Sequence, residues 1–444
     1  MGKYQAYPEY KNSGIEWLGE IPTHWKVNSI KRLTDFQVGW TPSTGKDENF
    51  VGENLWANIS DLKSKYLDDT AKRISDIAAQ TASMDITPKG SLLYSFKLSV
   101  GAVSFANKDM YTNEAIASFL STSKLPLSYL YYSLPIFVIE NAATNIYGAK
   151  ILNQELIKNA KLIEPTYFEA EKIANFLDHE TAKIDSLIVK QEKLIELLKE
   201  KRQAVISHAV TKGLNPDAPM KDSGVEWLGE VPEHWVIKSY RYACKIYRGK
   251  FGHRPRNDPA FYDGEYPFIQ TGDVARAGKY IKDYKQTLNE KGIGVSQKFP
   301  VGTLMMAIAA NIGDTAILGF EAYAPDSVVG FKPKADIDLE FLRYSFMAAF
   351  PALEQTSTQS TQANLNVDRI GAVQASFPSI SEQREIVAYL DTLLEQYDDI
   401  ESKSQKSIEL MKERKTALIS AAVTGKIDVR HFVAEQGQPQ GVQG

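Results

Sequence analysis

Lys11–Val27 and Lys221–Ile237 are near copies: KNSGIEWLGEIPTHWKV against KDSGVEWLGEVPEHWVI, with 11 identical residues of 17 at a constant offset of 210. A second echo pairs Pro165–Thr211 with Pro378–Thr424 at an offset of 213. It matches Leu177-Asp178 with Leu390-Asp391, Ile195-Glu196-Leu197 with Ile408-Glu409-Leu410, and Val210-Thr211 with Val423-Thr424. Solenoid repeats run to roughly 20–50 residues, so a period this long makes the chain a tandem pair of units, not a stacked array. Two such halves usually meet about a pseudo-two-fold axis. The stretches between the echoes, Asn28–Glu164 and Lys238–Phe377, share only a skeleton. The frame is kept while its contents vary.

A chain of 444 residues supports two or more domains with sizeable cores. Its 43% hydrophobic and 24% charged content is that of a folded globular protein and excludes disorder. The single cysteine, Cys244, rules out an intramolecular disulfide and suits a reducing compartment. No charged, apolar, cleavable start is visible at Met1, and no apolar run approaches the roughly 20 residues of a membrane helix. The expectation is a cytoplasmic protein with no membrane partner. A net charge of −4 argues against a nonspecific polyanion binder, but the charge is uneven. Lys238–Pro300 carries 13 basic and 6 acidic residues, enough to hold a phosphate backbone, whereas Asn28–Val100 carries 9 of each.

Short apolar runs broken by Gly, Pro and Asn predict mixed strands and loops with a few helices in the variable segments. At an offset of 212, Leu55–Leu62 matches Pro267–Val274, and Pro88–Leu93 with Val100-Gly101 matches Pro300–Met305 with Ile312-Gly313. These read as core strands separated by turns. The differences gather in polar gaps: Thr41–Lys46 against Arg254–Asn257, and Asn145–Lys150 against Ser357–Gln362. Arg, Lys, Asn, Gln, Ser and Thr are the side chains that read base edges and hold phosphates. The candidate DNA-contacting residues are therefore Thr41, Ser43, Lys46, Tyr147 and Lys150 in the first half. In the second they are Arg254, Arg256, Asn257, Gln359, Ser360 and Gln362.

Glu169–Val210 and Glu382–Val423 are each 42 residues without Pro or Gly. Fully helical, each would span roughly 63 Å. Leu177, Ile184, Gln191, Leu198 and Val205 fall seven apart, as do Leu390, Tyr397, Ser404, Met411 and Leu418. This is a coiled-coil seam, with Ile173, Leu187 and Leu194 read as intervening seam positions on the first helix. Gly213 and Gly425 sit just past the last periodic residues, where helices stop. The two helices are expected to pack antiparallel, with the variable domains at opposite ends of a rigid spacer. Gln191 and Ser404, at matched seam positions, are candidates for fixing register, or face solvent or a partner. The predicted layout is 1–164, leader and first variable domain; 165–213, first spacer helix; 214–377, linker, leader and second variable domain; 378–425, second spacer helix; and 426–444, a tail.

Trp17, Trp25, Trp227 and Trp235 lie in the repeated leader beside Pro22 or Pro232 and read as packing anchors rather than base-stacking platforms. His24 and His234 repeat with them, but no Cys or acidic cluster at ligand spacing accompanies either, so no metal site is expected. Catalytic signatures are missing. There is no [Asn/Asp]-Pro-Pro-[Tyr/Phe] motif of adenine methyltransferases. Gly39–Asp47, GWTPSTGKD, has one residue too many between its glycines and no Ser or Thr after Lys46, so it is not a phosphate-binding loop. No nuclease cluster is recognisable. The chain is expected to read DNA without performing chemistry on it.

The frame SGxEWLGEIPxHW before a variable domain, then Pro378-Ser379-Ile380-Ser381-Glu382-Gln383 opening a long helix, all repeated once, closely resembles the specificity subunit of type I restriction-modification systems. The resemblance runs from about Lys11 to Val429. The first helix start, Pro165–Ala170, departs from it in lacking the Gln. The resemblance implies an α+β fold: two globular mixed α/β target recognition domains separated by two long antiparallel coiled-coil helices, with pseudo-two-fold internal duplication. It implies that each domain reads one half of a split, asymmetric double-stranded DNA site and that the helices set the gap. Its implied partners are modification subunits, usually two, and restriction subunits. S-adenosylmethionine, ATP and magnesium are used by those subunits and no cofactor by this chain. The helices' outer faces and the leaders are the candidate docking surfaces. Two other classes compete: a coiled-coil adaptor that binds only proteins, and a stand-alone methyltransferase, for which no cofactor fold is visible.

Overall fold

In the computed structural model, which describes residues 4–97, 99–144, 150–253, 256–355 and 365–433, the chain divides into two units. Unit 1 is Met1–Lys190 with Ser407–Gly444, and unit 2 is Gln191–Lys406. Both divisions fall inside long helices, so each unit contains a leader, a variable domain and a portion of each helix.

In unit 1, Leu92–Ser95 and Ile116–Phe119 are buried at every position, the mark of strands covered on both faces. They are central in a five-stranded sheet ordered Phe36–Val38, Ile116–Phe119, Leu92–Ser95, Val103–Ala106, Tyr66–Leu67. The last, two-residue strand runs parallel to its neighbour; the other pairs are antiparallel. A three-stranded sheet, Tyr111–Thr112, Asn54–Ala57, Lys72–Ile74, lies beside it in the chain order. Helix α1, Leu127–Phe137, buries Tyr129, Leu130, Tyr132, Leu134 and Phe137. The leader forms a hairpin, Tyr10–Asn12 with Glu20–Pro22. Lys26–Ser29 then pairs antiparallel with Lys161–Glu164, so the domain's first and last strands close on one another. From that closure runs helix α2, Tyr167–Lys212.

Unit 2 repeats the plan. Its five-stranded sheet is ordered Cys244–Arg248, Val328–Pro333, Leu304–Ala307, Thr315–Leu318, Tyr280–Ile281, again with a parallel two-residue strand at the edge. The second sheet has four strands instead of three: Gln286–Leu288, Tyr262–Phe268, Ala322–Ala324, Gln297–Phe299. Helix α3, Leu339–Gln355, covers the core. The hairpin Met220–Asp222 with Glu230–Pro232 and the closure of Val236–Ser239 on Gln374–Phe377 match unit 1 strand for strand. Helix α4, Ile380–Val423, follows.

Within each unit the two helix segments pair antiparallel. In unit 2 Lys199 faces Glu401 at 4.0 Å and Arg202 bonds Asp398, so one number rises as the other falls. In unit 1 Lys415 bonds both oxygens of Asp185 at 2.7 Å. The seven-spaced residues face inward: Leu177, Ile184, Leu390, Ser404 and Leu418 are buried, and Gln191, Leu198, Val205, Tyr397 and Met411 are half-buried. Of the intervening row on α2, Ile173 is buried as expected, but further along the helix the row differs from expectation. Leu187 is 49% and Leu194 38% exposed, while Ile188 and Ile195, one position on, face inward. Spacings of three and four from Ile184 select Ile188, and the helix cannot bury both rows. No hydrogen bond joins Gln191 to Ser404 among the described residues. Both helices stop at a left-handed glycine, Gly213 at φ +75° and Gly425 at φ +74°. At the latter, Gly425 N–H donates to Ala422 and Lys426 N–H to Ala421, a Schellman cap.

Trp25 and Trp235 are fully buried anchors, as read from the leader. A Cβ on Gly425 would lie 2.5 Å from Pro22, beside Trp25, and one on Gly213 would lie 3.2 Å from Trp235. Each unit's leader therefore seats the end of the helix that the other repeat begins.

Candidate nucleic-acid interface

The first polar gap of unit 1 is tied down at its base. Trp40 N–H donates to Thr112 O at 2.9 Å and the Trp56 indole to Trp40 O at 3.0 Å. A Cβ on Gly39 would overlap the Thr112 carbonyl, so only glycine permits this approach. Thr41 bonds Glu114, and Asn49 donates to Ser43 O at 2.9 Å. The loop thus presents Ser43 and Lys46 to solvent beside the Trp40 ring, which is 57% exposed. Lys150 lies on a separate short strand, Lys150–Ile151, with its ammonium 3.6 Å from Glu140. Tyr147 lies outside the described residues.

The corresponding loop of unit 2 is built on an aromatic cluster. Phe251 stacks on Tyr262 at 5.8 Å and His253 on Phe261 at 4.0 Å. The Arg256 guanidinium bonds Asp326 at 2.6 Å, and its carbonyl accepts from the Tyr262 hydroxyl. Arg256 and Asn257 line a cavity of about 280 Å³ together with Gln270, Thr271, Gln286 and Ser327. The Gln270 amide donates to the Gln286 side-chain oxygen, leaving further donors and acceptors at the mouth. Arg, Asn and paired Gln side chains in one concavity can recognise the donor and acceptor pattern of base edges. Gln270 and Gln286 were absent from the sequence candidates because they sit on scaffold positions, where only the folded sheet brings them beside Arg256. Trp40 was absent although its signal, a tryptophan inside a polar gap, is visible. Arg254, Gln359, Ser360 and Gln362 lie outside the described residues.

Behind each set of loops the domain is joined to its helix by two repeated contacts. In unit 1 Glu169 accepts from Tyr7 at 2.7 Å and pairs with His24 at 2.9 Å; in unit 2 Glu382 pairs with His234 and accepts from the Trp235 indole, both at 3.0 Å. The second contact is a carboxylate with two donors. Asp178 accepts from Tyr132 and from Lys65, both at 2.5 Å. Asp391 accepts from Tyr344 at 2.6 Å and from Lys279 at 2.7 Å. Burial, and then the bond to the carboxylate, push both phenols well above their usual range. Burial disfavours charge on Lys279, but its bonds to Asp391 and Glu340 outweigh that and raise its pKa. Among the described residues no group of three or more His, Cys, Asp or Glu could hold a metal ion. No helix among them is long and apolar enough to cross a membrane.

Two domains of one sheet order, carrying different polar loops and each mounted on paired helices, define a duplicated recognition module. The profile of the type I restriction modification DNA specificity domain matches residues 22–197 and 232–410, and the chain belongs to that family. It is a DNA sequence-recognition subunit of the type I restriction-modification class. It is 26% identical to the type I restriction enzyme MjaIX specificity subunit of Methanocaldococcus jannaschii, over 66% of this chain and 70% of that protein. It is 22% identical to the EcoBI specificity subunit of Escherichia coli, over 77% and 75% respectively. Among solved structures, the crystal structure of the HsdS subunit from Thermoanaerobacter tengcongensis matches with a TM-score of 0.55, 14% identity, 92% coverage of this chain and 98% of that one. A chain from a study of complex assembly and conformational transition of the type I R-M system matches with a TM-score of 0.71, 13% identity, and 92% and 99% coverage. At these identities the structural likeness bears on the fold.

Proposed function

We propose that each unit reads one half of an asymmetric, bipartite DNA site, and that the paired helices set the gap between the halves. The observation that supports this reading is that one sheet order recurs in both units while the loops on it differ in size and chemistry. Unlike loops call for unlike half-sites. In unit 1 the readers are Thr41, Ser43, Lys46 and Lys150 with Trp40; in unit 2 they are Arg256 and Asn257 with Gln270 and Gln286. The excess of basic residues in the second variable segment, 13 against 6 acidic, assigns it the larger share of salt-dependent phosphate binding.

The chain itself is non-catalytic and holds no cofactor. Methyl transfer from S-adenosylmethionine belongs to two modification subunits, docked on the outer helix faces and the leaders. ATP- and magnesium-dependent translocation and cleavage belong to restriction subunits, all in the cytoplasm. The test is methylome sequencing of a host expressing this chain with its modification subunit, against the modification subunit alone. A new methylated adenine motif with two unlike halves and a fixed gap is expected. No new motif, with the complex assembled, would leave a protein-binding adaptor as the better account.

A further inference from the structure

The carboxylate joint recurs in the two units at matching structural addresses although the surrounding domains have diverged. Asp178 is the twelfth residue of α2 and Asp391 the twelfth of α4. Tyr132 is the sixth residue of α1 and Tyr344 the sixth of α3. Lys65 and Lys279 each stand immediately before the two-residue parallel edge strand of the five-stranded sheet. Their carbonyls accept from that sheet, Lys65 from Phe105 at 2.7 Å and Lys279 from Ile317 at 3.0 Å. One carboxylate on the spacer helix is thus gripped from two directions, by the domain's sheet and by its covering helix.

A clamp of this form resists rotation, which a single contact does not. A domain of this size has a radius of gyration of about 15 Å, placing its outer loops roughly 20 Å from such a pivot. Rotation by about 10° then moves a loop by about 3.4 Å, the rise of one base step. Charge-assisted bonds of 2.5–2.7 Å from two separated donors are short and directional. We propose that Asp178 and Asp391, with their Lys and Tyr donors, are positioning residues that fix each recognition domain on its helix and so restrict the gap tolerated between half-sites, without contacting DNA. This rests on the bipartite reading above. The two joints differ in what else holds the lysine. Lys279 also bonds Glu340 at 2.5 Å, and Tyr280 bonds the same carboxylate, whereas Lys65 has Asp178 and the rings of Tyr66, Tyr131 and Tyr132. Glu340 lies on α3, inside the domain, so these bonds keep Lys279 paired without tying the domain to α4, and loss of either aspartate loosens its domain on the spacer helix.

The experiment compares methylomes of hosts carrying the full complex with wild-type chain, Asp178→Asn, Asp391→Asn and both. The expected result is unchanged half-site sequences, with methylation at sites whose gap is one base pair longer or shorter rising at least tenfold over wild type for each single variant. Cognate methylation that falls or persists with off-gap sites still at the wild-type level overturns the proposal, and so does a changed half-site sequence. If the Asn variants fail to accumulate, Tyr132→Phe and Tyr344→Phe, which remove only hydroxyls, are judged by the same gap ratio. Absence of any bipartite motif with the wild-type chain defeats the bipartite reading itself, which this comparison reads separately.

Discussion

Ser133 and Ser345 occupy the same place in the two units, each directly after the clamp tyrosine and each buried, yet their hydroxyls have opposite circumstances. Ser345 Oγ lies 2.8 Å from Tyr240 Oη, both buried. Ser133 Oγ has no partner among the described residues, because Ile30 follows its first domain strand where Tyr240 follows the matching strand in the other unit. Ser345→Ala strands a fully buried phenol, which costs about 1–3 kcal/mol. Ser133→Ala removes a hydroxyl that is already unsatisfied, so its effect lies between zero and a gain of about 1 kcal/mol. Hydrogen exchange read by mass spectrometry resolves each unit through its own peptides and needs no assumption of a single unfolding transition. With tenfold per 1.4 kcal/mol, Ser345→Ala should speed exchange about 5- to 150-fold in peptides from Val236–Ser239 and Leu339–Gln355. Ser133→Ala should leave Lys26–Ser29 and Leu127–Phe137 unchanged or slower. Equal acceleration by the two variants would refute the reasoning.

Gly425→Ala and Gly213→Ala each force a side chain into the left-handed region at about 1–2 kcal/mol. Gly425→Ala should shift the denaturant midpoint further, because its Cβ would meet the rigid Pro22 ring at 2.5 Å, against 3.2 Å to Trp235 for Gly213. Burial pushes the Cys244 thiol up to about 12, so alkylation at pH 8 should be slow in the native protein and complete in denaturant; rapid native labelling would contradict it. Burial alone would raise the Asp428 pKa, but the Arg430 guanidinium and backbone N–H hold it below the usual carboxylate range. A depressed folded pKa contributes stability above the unfolded value of about 3.9 that is lost as pH falls through the folded value. Pepsin cleavage within residues 427–432 should therefore accelerate, relative to an unfolded reference, as pH drops from about 5 to 3.

Much of the frame was legible because it rests on local rules repeated twice. The leader echoes became matching hairpins, the proline-free stretches became α2 and α4, and Gly213 and Gly425 became left-handed stops. Leu187 and Leu194 were misassigned to the inner row of α2, where Ile173 does lie, because Leu187-Ile188 and Leu194-Ile195 are apolar at adjacent positions and only the partner segment chooses between rows. Charged seam residues such as Arg202 and Lys415 carry no apolar signal at all. The clamp was invisible for a different reason: Lys65, Tyr132 and Asp178 are far apart in sequence, and the edge strand that positions Lys65 is two residues long. Partner choice is equally nonlocal. Trp25 keeps the burial of Trp235 but not its bond, since the Tyr7 hydroxyl takes the Glu169 oxygen that would match the one Trp235 uses on Glu382, and its indole N–H has no partner among the described residues.

The seating of each helix end in the other repeat's leader has a consequence for the order in which the molecule is made. Unit 2 is one continuous stretch, Gln191–Lys406, whereas unit 1 needs both Met1–Lys190 and Ser407–Gly444. Its N-terminal strap is held by the last turns of the chain: Asp428 N–H donates to Gln5 O at 2.7 Å, Tyr10 to Gly425 O at 3.0 Å, and Phe432 packs on Phe176. At roughly 5–20 residues per second, the ribosome takes on the order of 10 to 40 s to cross the intervening stretch. The half translated first is thus the last to be completed, and it waits with the bed for Gly425 empty until the chain's end arrives. A nascent chain released early would carry a finished second domain and an unfinished first one.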